Sequence, residues 1–214
     1  VYLFCFRGLN MPAKKIVAVY SGVLYEEKNY KLLKELGNVF PEDEVHPGVS
    51  QRRYMKTVRR FLEDFADHYP EAQQKNLLLH GDSGLGKTYM MTAVLRRVNE
   101  RGIDARYVTA FRLLNDLRED YFRPGTVNTQ DYFDTPLLLI DDLGTEPLFD
   151  GITVELFGNL LNERTSRDLG TGISTNLTRE KIRERYTERF TSRLLMPGRC
   201  LDIELKGKDL RTLR

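Results

Sequence analysis

Eight consecutive residues, Gly81-Asp82-Ser83-Gly84-Leu85-Gly86-Lys87-Thr88, follow the pattern Gly-x-x-x-x-Gly-Lys-Thr. Glycines at 81, 84 and 86 allow the backbone to curl until several N–H groups converge on one anion, because a residue without Cβ adopts conformations that others avoid. A lysine at the end of such a loop reaches the β- and γ-phosphates of a nucleotide, and the hydroxyl of Thr88 suits a magnesium ion. The bland alternative, a glycine-rich turn with a surface lysine, requires nothing on either side. Here an apolar run from Asn76 to Leu79 leads in, and Tyr89-Met90-Met91 continues in a helical pattern, which is the strand–loop–helix setting the chemistry demands. Residues Gly81 to Tyr89 are therefore expected to hold a nucleoside polyphosphate.

A phosphate loop also needs an acid at the end of a buried strand. Leu137-Leu138-Leu139-Ile140 runs into Asp141-Asp142. Asp141 is the candidate for the metal, through water, and Asp142 for polarising the attacking water. A longer Glu is the more frequent second acid in such enzymes, so Asp142 implies slow or partner-dependent turnover. Asn176, ending the apolar run Ile173-Ser174-Thr175, fits a polar group that orients water against the γ-phosphate. As an alternative it caps the next helix, a task Thr178 also suits. Arg189 and Arg193 stand four apart and share a helix face. Either is a candidate for an arginine offered in trans to a neighbour's nucleotide, Arg193 first, and the competing reading is a solvated basic helix.

These groups need a frame. Ser50 is expected to cap a helix from Gln51 to His68 with Tyr54, Val58, Phe61, Leu62 and Phe65 on one face, ended by Pro70. Beyond it, short apolar runs at Leu77–Leu79, Arg106–Val108, Leu137–Ile140, Gly172–Thr175 and Leu201–Leu205 alternate with helical patterns at Thr88–Arg101, Ala110–Phe122, Thr153–Glu163 and Thr178–Leu195. That alternation predicts an α/β fold, a parallel sheet flanked by helices on both faces. PEDEVHPGVS reads as a connector, with a boundary near Pro41 between an extension at 1–40 and a nucleotide-binding domain at 41–214. Within the extension, Ile16 to Gly37 has an apolar stretch and a helical pattern.

Composition narrows the class. The chain has 214 residues, 41% hydrophobic and 30% charged, with a formal charge of +2. No apolar run approaches the roughly 18 residues that cross a bilayer, so no membrane association is expected and the location is read as cytoplasmic. Cys5 and Cys200 lie far apart and offer neither a metal pair nor a disulfide framework. From Arg164 to Arg214 there are 13 Lys/Arg against 7 Asp/Glu, a local excess that could face phosphates or simply be a solvated surface.

Taken in order, NLLLHGDSGLGKTYMMT, YVTAFRLL, LLLIDDLGTE, LLNERTSR, ISTNLT and YTERFTSRLL resemble the AAA+ ATPases, and among them the DnaC/DnaI-type bacterial helicase loaders and their IstB-like relatives, over roughly Phe40 to Arg214. The resemblance implies ATP and ADP as ligands with Mg²⁺, hydrolysis in the ATP state, and assembly with like subunits. It also implies that Arg211 takes the second sensor position, although a plain basic tail is nearly as good a reading. The stretch after Arg193 leaves little room for a helical lid, as expected for loaders of this type. In the resembling proteins single-stranded DNA is met by helices after the second core strand, here Phe111 to Arg123, which makes Arg112, Arg118 and Arg123 candidates; Phe111, Leu114, Leu117 and Tyr121 fall at core spacing. A replicative helicase is the implied partner. The alternatives are a transposition helper of IstB type with a transposase as partner, and a nucleotide-dependent binding module with little turnover. A small-molecule kinase would need an acceptor pocket that nothing here spells.

Overall fold

Residues 42–212 are described by the computed structural model. The helical pattern between Ile16 and Gly37, Cys5 and the extension as a whole lie outside them.

The stretch expected as a connector is instead a small hairpin. Strands β1 (Glu44–His46) and β2 (Val49–Ser50) pair antiparallel around Gly48, whose φ of 71° is the left-handed conformation that a tight turn requires. Pro and Gly were read as breakers, and in a two-stranded hairpin they are the turn itself. Ser50 then caps α1 (Gln51–His68), its hydroxyl accepting the Arg53 N–H at 3.3 Å. The buried stripe of α1 is Met55, Val58, Leu62, Phe65 and Ala66. Phe61, expected inside, is 53% exposed, because it stands at the margin of that stripe.

Five strands form one parallel sheet: β3 (Asn76–Gly81), β4 (Ala105–Thr109), β5 (Leu137–Leu143), β6 (Gly170–Thr175) and β7 (Cys200–Leu205), in the spatial order β4-β5-β6-β3-β7. Helices α2 (Lys87–Glu100), α3 (Ala110–Phe122), α4 (Gln130–Asp134), α5 (Ile152–Ser166) and α6 (Arg179–Leu194) make the crossovers. Period-two alternation along the strands divides the core. Leu77, Leu79, Leu137 and Leu139 face α1 and α2, whereas Leu78, Leu138, Ile140 and Ile173 face α3, α5 and α6. Short apolar runs thus bury both faces, as a covered parallel sheet must.

Topology sets the site. The chain leaves β3, crosses to the far edge at β4, returns through β5 and β6, and ends with β7 on the other side of β3. All strands point the same way, so Gly81, Asp141 and Thr175 reach one edge of the sheet. The reversal of direction beside β3 leaves a crevice there, the usual ligand position in such sheets.

The basic stretch that begins at Arg164 is not uniformly surface. Arg164 is fully buried. Its Nε donates to Thr171 Oγ1 at 3.1 Å and its Nη atoms donate to the carbonyls of Tyr132, Thr135 and Pro136 at 2.7, 3.0 and 3.3 Å, and to that of Gly170. Burial pushes the guanidinium pKa down to about 10. This side chain ties α4, a helix too short to show a clear periodic pattern, to the starts of β5 and β6. Among the described residues, no helix is long and apolar enough to cross a membrane.

Candidate functional site

The loop after β3 takes its shape from its glycines. Gly81, Gly84 and Gly86 have φ of 139°, 76° and 84°. Neighbours also exclude a side chain at two of them: a Cβ on Gly81 would lie 2.3 Å from the Leu205 carbonyl oxygen, and one on Gly84 1.8 Å from Asp209 Oδ1. Helix α2 starts directly after Gly86 with no side-chain cap on its first N–H groups, leaving them and the positive end of the helix dipole directed at the loop. Leu85 is buried in the core and contributes backbone only, Asp82 and Ser83 are exposed, and the half-buried Tyr89 packs against the α1–α2 core.

Lys87 is 6% exposed. Its ammonium donates to the carbonyls of Gly81 at 2.7 Å and Asp82 at 2.6 Å. Desolvation lowers its pKa, while Asp142, Asp141 and Asp82 pull it back up and Arg211 opposes them. A desolvated cation resting on two neutral carbonyls gains when an anionic oxygen arrives, since charge-assisted bonds are about twice as strong as neutral ones. The donor set therefore fits a polyphosphate.

Asp141 ends the continuous buried run of β5 that begins at Leu137, and is 1% exposed. Its Oδ2 accepts from Thr88 Oγ1 at 2.8 Å and from the Tyr107 hydroxyl, and its Oδ1 accepts from Ser174 Oγ. Thus α2, β4 and β6 each supply a hydroxyl to one carboxylate. Oxygens of this hard type suit Mg²⁺, and Thr88 and Asp141 are the residues that would hold it. Sequence reading missed Tyr107 and Ser174. Their signal was a hydroxyl interrupting an otherwise apolar strand, which is ambiguous until the strand order is known.

Asp142 sits at an irregularity within β5. Pairing between β5 and β6 shifts between Ile140 and Leu143, and Asp142 adopts φ 56°, a left-handed conformation that aspartate tolerates. Its N–H donates to Ser174 Oγ at 3.1 Å and its carbonyl accepts from Thr145 N at 3.2 Å and Oγ1 at 2.9 Å. Burial, then repulsion from Asp141, raises its pKa, and Lys87 lowers it. Ser174 therefore holds both acids at once. Asn176 is exposed just past β6, and the cap of α6 is Thr178, whose hydroxyl accepts the Lys181 N–H at 3.3 Å. The capping alternative for Asn176 is removed.

Arg211, in a 3-10 turn at Leu210–Thr212, lies on the loop: its Nη2 donates to Ser83 Oγ at 2.7 Å and to Asp209 Oδ2 at 2.8 Å, and the Leu210 N–H reaches the Gly84 carbonyl at 3.1 Å. Arg189 and Arg193 are elsewhere. Helix α6 breaks at Thr187 (φ 79°, ψ 158°), and both arginines follow the break, Arg189 exposed and Arg193 half-buried with its Nη1 3.4 Å from the Arg189 carbonyl. Neither forms a salt bridge among the described residues.

On α3 the core stripe is Ala110, Leu113, Leu114 and Leu117. Phe111 and Tyr121, placed in the core from their spacing, are 52% and 62% exposed, and Phe122 is 60% exposed. The stripe is narrower than the sequence pattern implied, because only the face toward β5 and α5 is covered. Arg112 pairs with Asp116 at 2.9 Å and Arg118 lies 4.4 Å over the Phe149 ring, while Arg123 is exposed at the helix end.

Known structures share this fold. The DnaC helicase loader matches with a TM-score of 0.65 at 20% identity, covering 79% of this chain and 97% of that one. DnaI matches with a TM-score of 0.59 at 25% identity over 80% and 90% of the two chains. In sequence, the replicative helicase loader DnaI of Bacillus subtilis (strain 168) is 32% identical over 122 residues, which is 54% of this chain and 38% of that protein. The present chain thus aligns with well under half the length of that relative. The profile of the IstB-like ATP binding proteins matches residues 53–196, a stretch that includes the phosphate loop, both acids, Asn176, Arg189 and Arg193. With the loop, the acid strand and the sheet order all in place, the chain belongs to the IstB-like ATP-binding family and has the AAA+ core of the DnaC/DnaI type.

Proposed function

We propose that this protein is a Mg²⁺-dependent ATPase that assembles with like subunits in its ATP state and helps place a replicative helicase on single-stranded DNA. The observation that carries the reading is the buried Lys87 ammonium, held by loop carbonyls beside the Thr88–Asp141 pair. The likeness to the Bacillus subtilis replicative helicase loader supports the partner. Bound Mg²⁺·ATP would supply a polarised phosphoryl group and its transferable γ-phosphate. Lys87 binds and neutralises charge, Thr88 and Asp141 hold the metal, and Asp142 accepts a hydrogen bond from the attacking water, which Asn176 helps orient. Arg211 adds a cation from the same subunit, and Arg193, with Arg189 as the alternative, from the next one.

Contact with DNA is assigned to the α3 region. Arg118 and Arg123 offer charge, and the exposed Phe111, Tyr121 and Phe122 offer faces for stacking, a combination that holds single strands with little sequence preference. Arg112 is the weaker candidate, because Asp116 already engages it.

Sizing the protein with ATP, ADP and a short oligonucleotide tests nucleotide use, self-association and DNA contact together. A particle that stays monomeric under all three conditions would defeat the assembly reading. A second reading, a transposition helper with a transposase and duplex DNA as partners, is favoured by the family match itself. Capture by purified helicase or by purified transposase separates the two. The short Asp142 favours a third, a nucleotide-dependent binding module, which single-turnover hydrolysis with and without DNA would distinguish.

A further inference from the structure

Glu146 has 1% of its surface exposed, and nothing in the nucleotide chemistry calls for it. An ionised carboxylate is costly to bury unless its oxygens are bonded. Here Oε2 accepts the Gly144 N–H at 2.9 Å, Oε1 accepts the Tyr186 hydroxyl, and Arg185 Nη2 lies 3.5 Å from Oε1. Arg185 Nη2 also donates to the Glu146 carbonyl.

The two main partners belong to different parts of the machinery. Gly144 is two residues past Asp142, in a loop with little freedom. Its φ is 105°, a Cβ there would fall 2.7 Å from Leu177 Cδ1, and the preceding Leu143 carbonyl accepts from Thr175 Oγ1. Tyr186 is the residue directly before Thr187, where α6 breaks ahead of Arg189 and Arg193. Its ring packs against Phe157 of α5, with centroids 6.1 Å apart, and across the break against Phe190 at 5.1 Å. Burial and then the Glu146 charge raise the pKa of the Tyr186 hydroxyl, keeping it a proton donor to that carboxylate.

We propose that Glu146 is a positioning residue that couples the acid-bearing loop after β5 to the broken end of α6, so that the nucleotide state of one subunit sets where its Arg189 and Arg193 stand for the next. The coupling rests on the assembly reading above. A shift of the Asp142 loop on loss of the γ-phosphate moves Gly144, the carboxylate follows its N–H, and the Tyr186 hydroxyl follows the carboxylate. The break at Thr187 lets residues 188–194 reorient without unwinding the first part of α6.

Two variants test this. Tyr186→Phe removes the hydroxyl and keeps the ring packing; Glu146→Gln keeps the shape and removes the charge. Both should bind ATP·Mg²⁺ within about twofold of wild type by calorimetry and keep their unstimulated turnover, since neither side chain faces the nucleotide. Assembly-stimulated kcat should fall about tenfold with KM unchanged, the usual size of a coupling between sites. In hydrogen exchange, addition of ATP·Mg²⁺ should change the protection of residues 188–194 in wild type and leave it unchanged in Tyr186→Phe. If the arginine variants abolish stimulation while both coupling variants behave as wild type, the coupling is wrong and the assembly reading stands. If stimulation survives in Arg189→Ala and Arg193→Ala, the assembly reading fails and takes the coupling with it. Equal loss of basal and stimulated rates with a lowered melting point would reveal a purely structural carboxylate and overturn the proposal. Should Glu146→Gln not fold, Tyr186→Phe decides alone.

Discussion

The nucleotide end of the sheet and the outer ends of α3 and α6 both carry charged side chains and treat them differently. Around the loop, the groups that form the cradle are engaged within the chain: Lys87 on two carbonyls, Asp141 on three hydroxyls, Arg211 on Ser83 and Asp209. Beyond the break in α6 and at the end of α3, Arg189 and Arg123 are exposed, and the rings of Tyr121 and Phe122 meet edge to face at 5.2 Å with most of their surface in water. Polar groups that satisfy one another fix a geometry, as a phosphate cradle requires. Charges and aromatics left in solvent hold no geometry alone, and suit surfaces that act when a second molecule arrives.

That contrast predicts different kinds of loss. The largest is for Arg193→Ala, which should lower assembly-stimulated hydrolysis by about a thousandfold, the lower end of what an arginine in trans contributes, while a dilute monomer binds ATP as before. Stimulated rates near wild type would transfer the role to Arg189. Next is Lys87→Ala, which acts within one chain and so costs binding itself. Losing two or more charge-assisted bonds at about 1.5 kcal/mol each should raise the ATP Kd by roughly a hundredfold. Calorimetry on the dilute protein measures it, and an unchanged Kd would mean that the cradle is not where the nucleotide sits.

Arg164 belongs to neither region, although the sequence placed it at the head of a basic surface. Arg164→Met should cost about 3 kcal/mol in denaturant unfolding, because the carbonyls and the hydroxyl it serves would be left buried without a donor. Nucleotide affinity should hold, since Arg164 meets β6 at its first residues and the site lies at its last. The arginine also shows how far a linear reading reaches. Strand runs, glycine spacing and the acid pair are local patterns, so β3, the loop and β5 were legible, and Thr178 as a cap nearly so. What depends on strand order was not: Tyr107 and Ser174 converge on Asp141 only because β4 and β6 flank β5. Glu146 could not be separated from its DLGTE neighbours until Tyr186, forty residues away, was seen to reach it. Helical periodicity located α1 and α3 but overestimated the width of their buried faces, which is why Phe61, Phe111 and Tyr121 emerged on the outside.

The smallest effect is also the one with the clearest sign. Asp142 has a carboxyl raised by burial and by Asp141, against the pull of Lys87. A folded-state pKa above the unfolded value means that the native chain holds the proton more tightly. Stability therefore declines as pH climbs from the ordinary carboxylate range through the raised value, and the deficit persists at neutral pH. Asp142→Asn keeps the size and tolerates the left-handed φ of 56° as well as aspartate does. At pH 7 the variant should be more stable than wild type by about 0.5 kcal/mol or less, the half-exposed position and solvent screening keeping the figure low. The difference should shrink as pH falls below the ordinary carboxylate range, where Asp142 carries its proton in both the folded and the unfolded chain. Hydrolysis should drop in the same variant, because asparagine cannot accept the water's hydrogen bond with a full charge. A variant less stable than wild type at neutral pH would mean that the carboxylate is held by its surroundings and not strained by them. In that case Asp142 would belong with the self-satisfied groups of the cradle and would not be the poised acid of the reaction.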